Sequence, residues 1–396
     1  MIEYAGSRAE GLRAQRESVD LGAIVRRLDW LLLAGVAGLV GYGLWAIAGI
    51  TQHDVAGNPD YYVIRQGVYA AVGVALLAVA SLVDPDYYRR YWRVVFGGTV
   101  LLMLFVFVAG PVTRGSRRWL DFGFFRFQPS EFGKLLFVLA LAGFLAERGR
   151  RLQEAWTTLT AVGLALVPIF LVFVQPDLGT AFVYTAALFA VLFVGGTRWS
   201  HLGVLAVAGI VAAASVLWVF PAAGVNVLKP YQVKRITGFF QPDSDPGGAT
   251  YNVKQSVTAV GAGQFHGRGP EGATQTRLAF LPEHATDFAF ASLAEQRGFL
   301  GATFLLLLYL LVVWRGLRTI TLARDLFSAI VAGGIVIALL FQIFVNVGMT
   351  MAIAPITGIP LPFVSVGGSS MIANLTAMGI LLAIHARGRG GRRRRA

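Results

Sequence analysis

The sequence predicts an all-α polytopic membrane protein with about ten transmembrane helices and one long extracytoplasmic loop between helices 7 and 8. Hydrophobic residues make up 56% of the 396 residues and charged residues 14%, with a mean hydropathy of +0.64. Soluble domains contain roughly 25% charged residues, so a soluble fold is disfavoured. Apolar runs of about 20 residues, the length that spans a bilayer, recur along the chain. Arginines cluster between alternate runs, as the positive-inside rule describes.

The apolar runs place the helices along the chain. The first run follows a polar segment and is long enough to span, so we expect a retained first helix rather than a cleaved signal. The predicted helices are 30–50, 65–83, 92–111, 131–146, 156–174, 178–195, 201–220, 288–314, 327–350 and 369–386. Ten crossings place both chain ends on the same side. The lack of cysteine excludes disulfides and thiolate metal sites.

The basic residues predict the orientation. More than half of the 34 lysines and arginines fall in loops on the side of the two chain ends, so we expect that side to be cytoplasmic. The net charge of +13 follows from this arrangement, and nucleic-acid binding is therefore disfavoured. The chain then divides into a cytoplasmic segment (1–28), a transmembrane domain (29–386) and a basic cytoplasmic tail (387–396). The opposite side carries the loops 111–128 and 222–287.

Two groups of polar residues lie near the outer ends of predicted spans. Glu131 and Lys134 are one helical turn apart at the start of a span, where unpaired charge is costly. They are either paired with each other or functional. Arg118 and Trp119 precede them, in a loop whose aromatic side chains suit the headgroup level. Asp177 begins a helix, where it either contacts the free amides of the first turn or takes part in function.

The end of the long loop holds the densest cluster of ionisable residues. Glu283, His284 and Asp287 fall where the loop enters helix 8, and Thr286 lies among them. The helix dipole favours the carboxylate form of Asp287, whereas partial burial opposes it. Asp287 is therefore a candidate general base, with helix capping as the alternative. His284 is a single histidine without a metal-ligand pattern around it.

Further polar groups lie on the same side. A cationic surface could hold a phosphate or pyrophosphate, and the long loop supplies Lys229, Lys234, Arg235, Lys254, Arg268 and Arg277. The segment before the last helix is apolar but breaks helices, so we expect it to line a cavity. Its end would either bind an anionic group or form a simple cap, through Ser365, Gly367, Gly368 and Ser369. Deeper in helix 8, we expect Glu295 and Arg297 to form a buried structural ion pair.

Four motifs in order resemble the SEDS family of bacterial cell-wall polymerases, over about residues 28–386. They are Arg118-Trp119-Leu120 with Gln128-Pro129-Ser130-Glu131 and Lys134, then Gln175-Pro176-Asp177-Leu178-Gly179-Thr180, Leu281-Pro282-Glu283 with Thr286-Asp287-Phe288, and Pro360-Leu361-Pro362-Phe363 with Ser365 and Gly367-Gly368-Ser369-Ser370. Within the family the sequence is more similar to the elongation protein RodA than to the division protein FtsW. Thr357 stands where FtsW usually has lysine, and 272–278 resembles the RodA loop.

The resemblance implies a peptidoglycan glycosyltransferase in the bacterial plasma membrane that polymerises lipid II, with its active site facing outside. It also implies a class B penicillin-binding protein as partner, together with other elongation-complex membrane proteins. In the family, the aspartate that matches Asp287 is essential, and the positions of Trp119 and Lys134 matter. Asp287 would deprotonate the acceptor sugar. Undecaprenyl pyrophosphate would then leave the growing undecaprenyl-linked glycan, stabilised by cations for which Lys134, Arg118, Lys234 and Arg235 are candidates.

Three points stay open from the sequence. A divalent cation could share the charge stabilisation, but no ligand cluster indicates one, so no cofactor is assigned. A flippase or transporter of a lipid-linked precursor is the main alternative, because a polar cavity also suits the movement of a headgroup. A non-enzymatic scaffold for cell-wall synthesis is the other alternative.

Overall fold

The computed structural model describes residues 26–112, 116–225, 227–240 and 248–393. Helices make up most of this part of the chain. In chain order they are α1 (Trp30–Ile50), α2 (Tyr61–Leu82), α3 (Pro85–Arg90), α4 (Trp92–Ala109), α5 (Pro129–Arg148), α6 (Ala155–Val174), α7 (Leu178–Val194), α8 (Trp199–Ala222), α9 (Pro230–Phe240), α10 (Ala249–Ala262), α11 (Gly269–Gly272), α12 (Thr274–Arg277), α13 (Ala289–Leu322), α14 (Leu326–Thr350) and α15 (Gly368–Arg393).

The long helices confirm the predicted all-α polytopic architecture. Within the described residues, nine helices are long and apolar enough to cross a membrane, and α7 is a further apolar helix of 17 residues. Together these are the ten predicted helices in the predicted order. In the same residues the only strands, β1 (Leu120–Asp121) and β2 (Arg126–Phe127), pair antiparallel in a short hairpin. The chain is a multi-pass membrane protein.

The connections between the spans lie on two opposite faces. The loop face consists of the connections 51–60, 110–128, 175–177, 223–288 and 351–367, and the arginine face is the opposite one. On the arginine face, Arg315 of α13 pairs with Asp29 at 2.7 Å, and Arg93 of α4 pairs with Glu147 of α5 at 2.9 Å. Asp29 also caps α1, because its Oδ1 accepts the Leu32 amide at 3.1 Å. These contacts hold the helix ends together on that face.

Three helices form the centre of the bundle. The spans of α5, α14 and α15 are mostly buried inside the protein, whereas only 6% of the α8 span is buried. Helix α15 packs along α2, and α14 packs against α7 and α13. Helix α8 therefore lies at the lipid-facing edge, and the polar residues of α5, α14 and α15 lie among packed helices.

The long loop is more ordered than the sequence indicated, because it contains α9 to α12. Helix α10 packs against α13 and α14. At Gly298, α13 breaks with a φ of 66°, and residues of the loop replace the missing helical hydrogen bonds. The Phe299 amide donates to the Gln264 carbonyl at 2.8 Å, and the Arg268 amide donates to the Glu295 carbonyl at 3.0 Å. Helix α13 also continues beyond its predicted end, to Leu322.

The predicted ion pair between Glu295 and Arg297 is wrong. Both oxygens of the buried Glu295 carboxylate accept amide hydrogen bonds from the start of α12, from Gln275 at 2.8 Å and from Thr276 at 2.9 Å. The Arg297 guanidinium instead stacks on the Trp45 ring, with its carbon 3.6 Å from the ring centroid. Residues two apart on a helix point in different directions, which is why the two charges do not meet.

Candidate active site

A turn immediately before α13 carries Asp287, and its backbone is fixed at every carbonyl from Glu283 to Asp287. The Glu283 carbonyl accepts the Thr286 and Phe288 amides, both at 3.1 Å. The other four carbonyls accept from groups beyond the turn. The His284 carbonyl accepts the Ser292 hydroxyl at 3.1 Å, and the Ala285 carbonyl accepts the Val366 amide at 2.9 Å. The Thr286 carbonyl accepts the Ser365 hydroxyl, and the Asp287 carbonyl accepts the Asn346 amide nitrogen at 2.9 Å. The turn is thus anchored to α13, α14 and the segment before α15, which preorganises the half-buried Asp287.

Gly358 forms a wall beside the Asp287 carboxylate. It has a φ of 72°, which L side chains rarely adopt. A Cβ atom built on Gly358 would lie 3.3 Å from Asp287 Oδ2 and 3.2 Å from Nη1 of Arg235. The carboxylate and the guanidinium therefore border the same small space and are no further apart than the sum of these two distances. A carboxylate and a guanidinium meet at this point of the loop face.

Asn346 of α14 joins the two segments that enclose this space. Its Nδ2 donates to the Asp287 carbonyl at 2.9 Å and to the Ile359 carbonyl at 2.7 Å. Both acceptors are carbonyls, so the nitrogen must face them, and the amide orientation is fixed. Asn346 is fully buried. It therefore sets the backbone of the Asp287 turn relative to the segment that contains Gly358.

A cavity next to Gly358 contains several of the predicted site residues. Its lining includes Arg118, Asp177, Tyr231, Gln232, Arg235 and Thr357. Arg118 Nε donates to the Gln175 carbonyl at 2.7 Å, and its Nη2 donates to the Pro176 carbonyl. Asp177 caps α7 by accepting the Thr180 amide at 3.1 Å, and its other oxygen accepts from the Gln128 side chain at 3.1 Å. The capping interaction considered for Asp177 is present, and a role in substrate binding stays a prediction.

Glu131 and Lys134 form a buried ion pair away from this cavity. Lys134 Nζ lies 2.9 Å from both Glu131 carboxylate oxygens and donates to the Gln342 side chain at 3.0 Å. A second cavity, between α5, α14 and α15, is lined by both charged residues together with Gln342 and Asn374. The pairing considered from the sequence is thus present, and the ammonium is already held by neutral and anionic partners.

The residues around Gly367 connect the last helix to α2 and to the hairpin. The Gly367 amide donates to the Gln66 side chain at 3.1 Å. The Ser369 hydroxyl accepts the Gln128 amide at 2.8 Å and donates to the Arg126 carbonyl at 3.1 Å. Gly368 packs against Tyr69 and Phe125. These groups have protein partners, and anion binding by them stays a prediction.

The remaining predicted residues are only partly located by these contacts. The Glu283 carboxylate accepts the Thr286 hydroxyl at 2.9 Å, within the Asp287 turn. Trp119 is half-buried beside the hairpin. Lys234 belongs to α9, but its side chain lies outside the described residues. The structure therefore places Asp287 beside Arg235, and Arg235 lines a cavity together with Arg118 and Asp177. It places the Glu131–Lys134 pair elsewhere.

His284 links the Asp287 turn to the connection between α1 and α2. Its Nε2 lies 3.0 Å and 3.1 Å from the two carboxylate oxygens of Asp54. Burial lowers the pKa of His284, but the hydrogen bond and the negative charge of Asp54 outweigh burial and leave that pKa above its usual value. The raised pKa favours the imidazolium form, and in that form His284 pairs with Asp54 and tethers the turn.

Sequence reasoning missed three residues of this site: Asn346, Tyr231 and Gly358. A single asparagine inside an apolar span was a usable signal for Asn346, because polar side chains at that depth are costly unless they have a role. Tyr231 gave no such signal in a loop rich in basic residues. Among the described residues, no group of three or more His, Cys, Asp or Glu side chains could hold a metal ion.

Comparison with known proteins identifies the family. Residues 27–390 match the FtsW/RodA/SpoVE family, described as cell cycle proteins. The chain belongs to this family. Among relatives in the FtsW/RodA/SpoVE family, it is 38% identical to the peptidoglycan glycosyltransferase MrdB of Escherichia coli K12, over 80% of this chain and 83% of that protein. It is 35% identical to stage V sporulation protein E of Bacillus subtilis, over 89% of this chain and 94% of that protein.

Solved structures in the FtsW/RodA/SpoVE family share the fold. One is a chain from a study of polymerization and crosslinking by a peptidoglycan synthase complex, with a TM-score of 0.77, 30% identity and coverage of 91% of this chain and 98% of that chain. Another is the rod shape determining protein RodA of Thermus thermophilus, with a TM-score of 0.67, 28% identity and coverage of 90% and 96%. The expected SEDS membership is confirmed. Relatives named MrdB and FtsW both match, and the preference for the RodA branch stays a prediction.

Proposed function

We propose that this chain is a peptidoglycan glycosyltransferase that polymerises lipid II during cell-wall elongation. Relatives that carry the name peptidoglycan glycosyltransferase support the reaction class. The observation that carries the assignment to a site is the Asp287 turn, whose backbone is fixed at each carbonyl and whose carboxylate shares the space beside Gly358 with Arg235. An anchored acid beside a cation suits a proton transfer coupled to the departure of an anion.

The proposed step is an inverting transfer. Asp287 accepts the proton of the GlcNAc 4-hydroxyl of one lipid II molecule, and that oxygen forms a bond to the anomeric carbon of the growing chain. The bond from this carbon to the diphosphate oxygen breaks, and undecaprenyl pyrophosphate leaves with the electron pair. Arg118 and Arg235 line the cavity next to Gly358, and Arg235 also lies beside Asp287, so the two arginines are proposed to stabilise the developing negative charge. Lys134 is held by Glu131 and acts at most through that pair.

We further propose that the loop face lies outside the cell. The positive-inside rule supports this orientation, because arginines concentrate at the opposite ends of the helices. Lipid-linked precursor would then meet Asp287 at the outer headgroup plane. A class B penicillin-binding protein is the proposed partner, since one structural relative comes from a peptidoglycan synthase complex. Other elongation-complex membrane proteins are proposed on the family resemblance alone.

The test is polymerisation of labelled lipid II by the purified full-length chain in proteoliposomes. We expect Asp287→Asn to lower the rate about 10²- to 10⁴-fold, because general-base catalysis contributes about that much. Asp86→Asn is the matched control, since it makes the same chemical change to an exposed carboxylate on the arginine face. Full activity of Asp287→Asn would refute the general-base role.

The same preparation distinguishes the alternatives. A flippase would move labelled lipid II across the liposome membrane without forming polymer. A scaffold would do neither. Either result with a folded wild-type chain would contradict the proposed glycosyltransferase activity.

A further inference from the structure

Tyr231 contacts both arginines of the cavity next to Gly358. Its hydroxyl accepts a hydrogen bond from Arg118 Nη2 at 3.3 Å and donates to the Pro176 carbonyl at 3.2 Å. The face of its ring lies 5.8 Å from the guanidinium carbon of Arg235, one helical turn further along α9. One side chain therefore sets the position of two cations that come from distant parts of the sequence.

Both guanidinium groups keep N–H donors for a ligand. Arg118 uses Nε for the Gln175 carbonyl and the two N–H groups of Nη2 for Pro176 and Tyr231. Its Nη1 has no acceptor among the described residues. Arg235 likewise makes no hydrogen bond within that part of the chain, and its Nη1 faces Gly358. Two planar donors on one cavity match the oxygens of a phosphate group.

The single carboxylate in the cavity lining does not cancel these charges. Asp177 is 6% exposed, and its two oxygens accept from the Thr180 amide and the Gln128 side chain. The positive end of the α7 dipole offsets its charge further. The cavity lining thus holds two cations and one carboxylate that is already bound within the protein, and the Asp287 carboxylate lies beside Arg235 next to Gly358. An anionic ligand fits the N–H donors that the two arginines keep.

We propose that Tyr231 is the positioning residue for both arginines and that it holds them for the diphosphate of a prenyl-linked substrate. The inference rests on the proposed function for the choice of a prenyl diphosphate as ligand. The position beside Gly358 supports the choice, because it brings the diphosphate next to Asp287, where the sugar–phosphate bond would break. The competing interpretation is structural: Arg118 would only satisfy the carbonyl groups at the end of α6.

The experiment measures binding of farnesyl pyrophosphate to the full chain in phosphatidylcholine nanodiscs. Farnesol is the matched ligand without charge, and inorganic pyrophosphate is the matched ligand without the prenyl chain. Tyr231→Phe keeps the ring and removes the hydroxyl, whereas Tyr231→Leu removes both. Arg235→Gln removes one cation. Tyr251→Phe on α10 is the control, because Tyr251 is not among the residues that line this cavity.

We expect Tyr231→Phe to weaken farnesyl pyrophosphate binding about tenfold, as hydrogen bonds to charged groups are worth roughly that factor or more. Tyr231→Leu should weaken it about threefold further, since an exposed cation–π contact adds about 0.5–1 kcal/mol. Arg235→Gln should also cost about tenfold. Inorganic pyrophosphate should follow the same order, and farnesol binding and the unfolding temperature should stay at their wild-type values in all these variants.

Wild-type binding of farnesyl pyrophosphate by Tyr231→Leu and Arg235→Gln would overturn the inference. An equal loss of farnesol binding would also overturn it, because a damaged fold would affect both ligands. No sugar is transferred in this assay, so its outcome does not depend on the general-base role of Asp287. If the chain does not polymerise lipid II but still binds the diphosphate in a Tyr231-dependent manner, the proposed function is refuted and the proposed binding site is still supported.

Discussion

Asn346→Ala tests whether a buried amide holds the catalytic geometry. The substitution removes the donor that serves the carbonyls of Asp287 and Ile359, and it leaves both carbonyls buried without that partner. A buried polar group without a hydrogen bond costs about 1–3 kcal/mol. In the wild type, Oδ1 of Asn346 is already a buried polar atom without a partner among the described residues. The alanine substitution removes this atom, which offsets the cost of about one of the two carbonyls that lose their donor. The net loss of unfolding free energy should be about 1–3 kcal/mol.

The effect on activity should exceed the effect on stability. The Asp287 turn and the segment with Gly358 lose their shared anchor, and a displacement of about 1 Å at a reacting group can cost about a hundredfold in rate. We expect kcat of lipid II polymerisation to fall by about that factor while KM changes little. Thermal unfolding in detergent and single-turnover polymerisation measure the two quantities on the same preparation.

Two further substitutions make this test specific. Asn346→Asp has nearly the same shape but places a carboxylate oxygen where the donor was, so it should be more damaging than alanine. Leu340→Ala, on a lipid-exposed side of the same helix, is the control and should leave kcat unchanged. Wild-type kcat in a folded Asn346→Ala protein would show that these hydrogen bonds do not position Asp287.

Three other perturbations probe separate parts of the molecule. Lys134→Met should lower the free energy of unfolding by about 3–5 kcal/mol because it leaves a buried carboxylate unpaired, and adding Glu131→Gln should recover most of the loss in thermal melts. Gly358→Ala should cost about 1–2 kcal/mol for its left-handed backbone and at least tenfold in polymerisation rate, because its methyl group enters the space of the reacting groups; a normal rate would contradict that geometry. The raised pKa of His284 means that its ion pair with Asp54 is complete below pH about 6.5 and is lost as pH rises through the raised value. The unfolding temperature should therefore fall more steeply with rising pH in wild type than in Asp54→Asn, and parallel curves would exclude the tether.

The membrane architecture could be predicted because hydropathy and length determine it almost alone. The first helix begins and ends at the predicted residues, and the other nine long helices lie in the predicted order. Helix α13 extends past its predicted end at residue 314 because Arg315, the next residue, is buried and paired with Asp29. Nothing local to Arg315 reveals a partner at the other end of the chain. The end of α13 could therefore not be predicted, because it depends on an ion pair between residues far apart in the sequence.

The site could be predicted only where neighbouring residues in the sequence determine it. Asp287 and the pairing of Glu131 with Lys134 follow from local spacing, which the sequence displays directly. The joint cavity of Arg118 and Arg235 depends on how α9 docks against the end of α6, and no local pattern encodes that contact. The Glu295–Arg297 expectation failed because it counted charges without considering where each side chain points.

The anchoring of the Asp287 turn has a consequence for biogenesis. The groups that hold its last four carbonyls from outside the turn belong to α13, α14 and the segment before α15, all of which emerge from the ribosome after Asp287 itself. A nascent chain that has inserted only its first eight spans lacks Asn346, Ser365 and Val366. The carbonyls of Ala285, Thr286 and Asp287 then lack the partners that hold them in the folded protein. We expect the turn to reach its final conformation only when the last two helices have entered the bilayer.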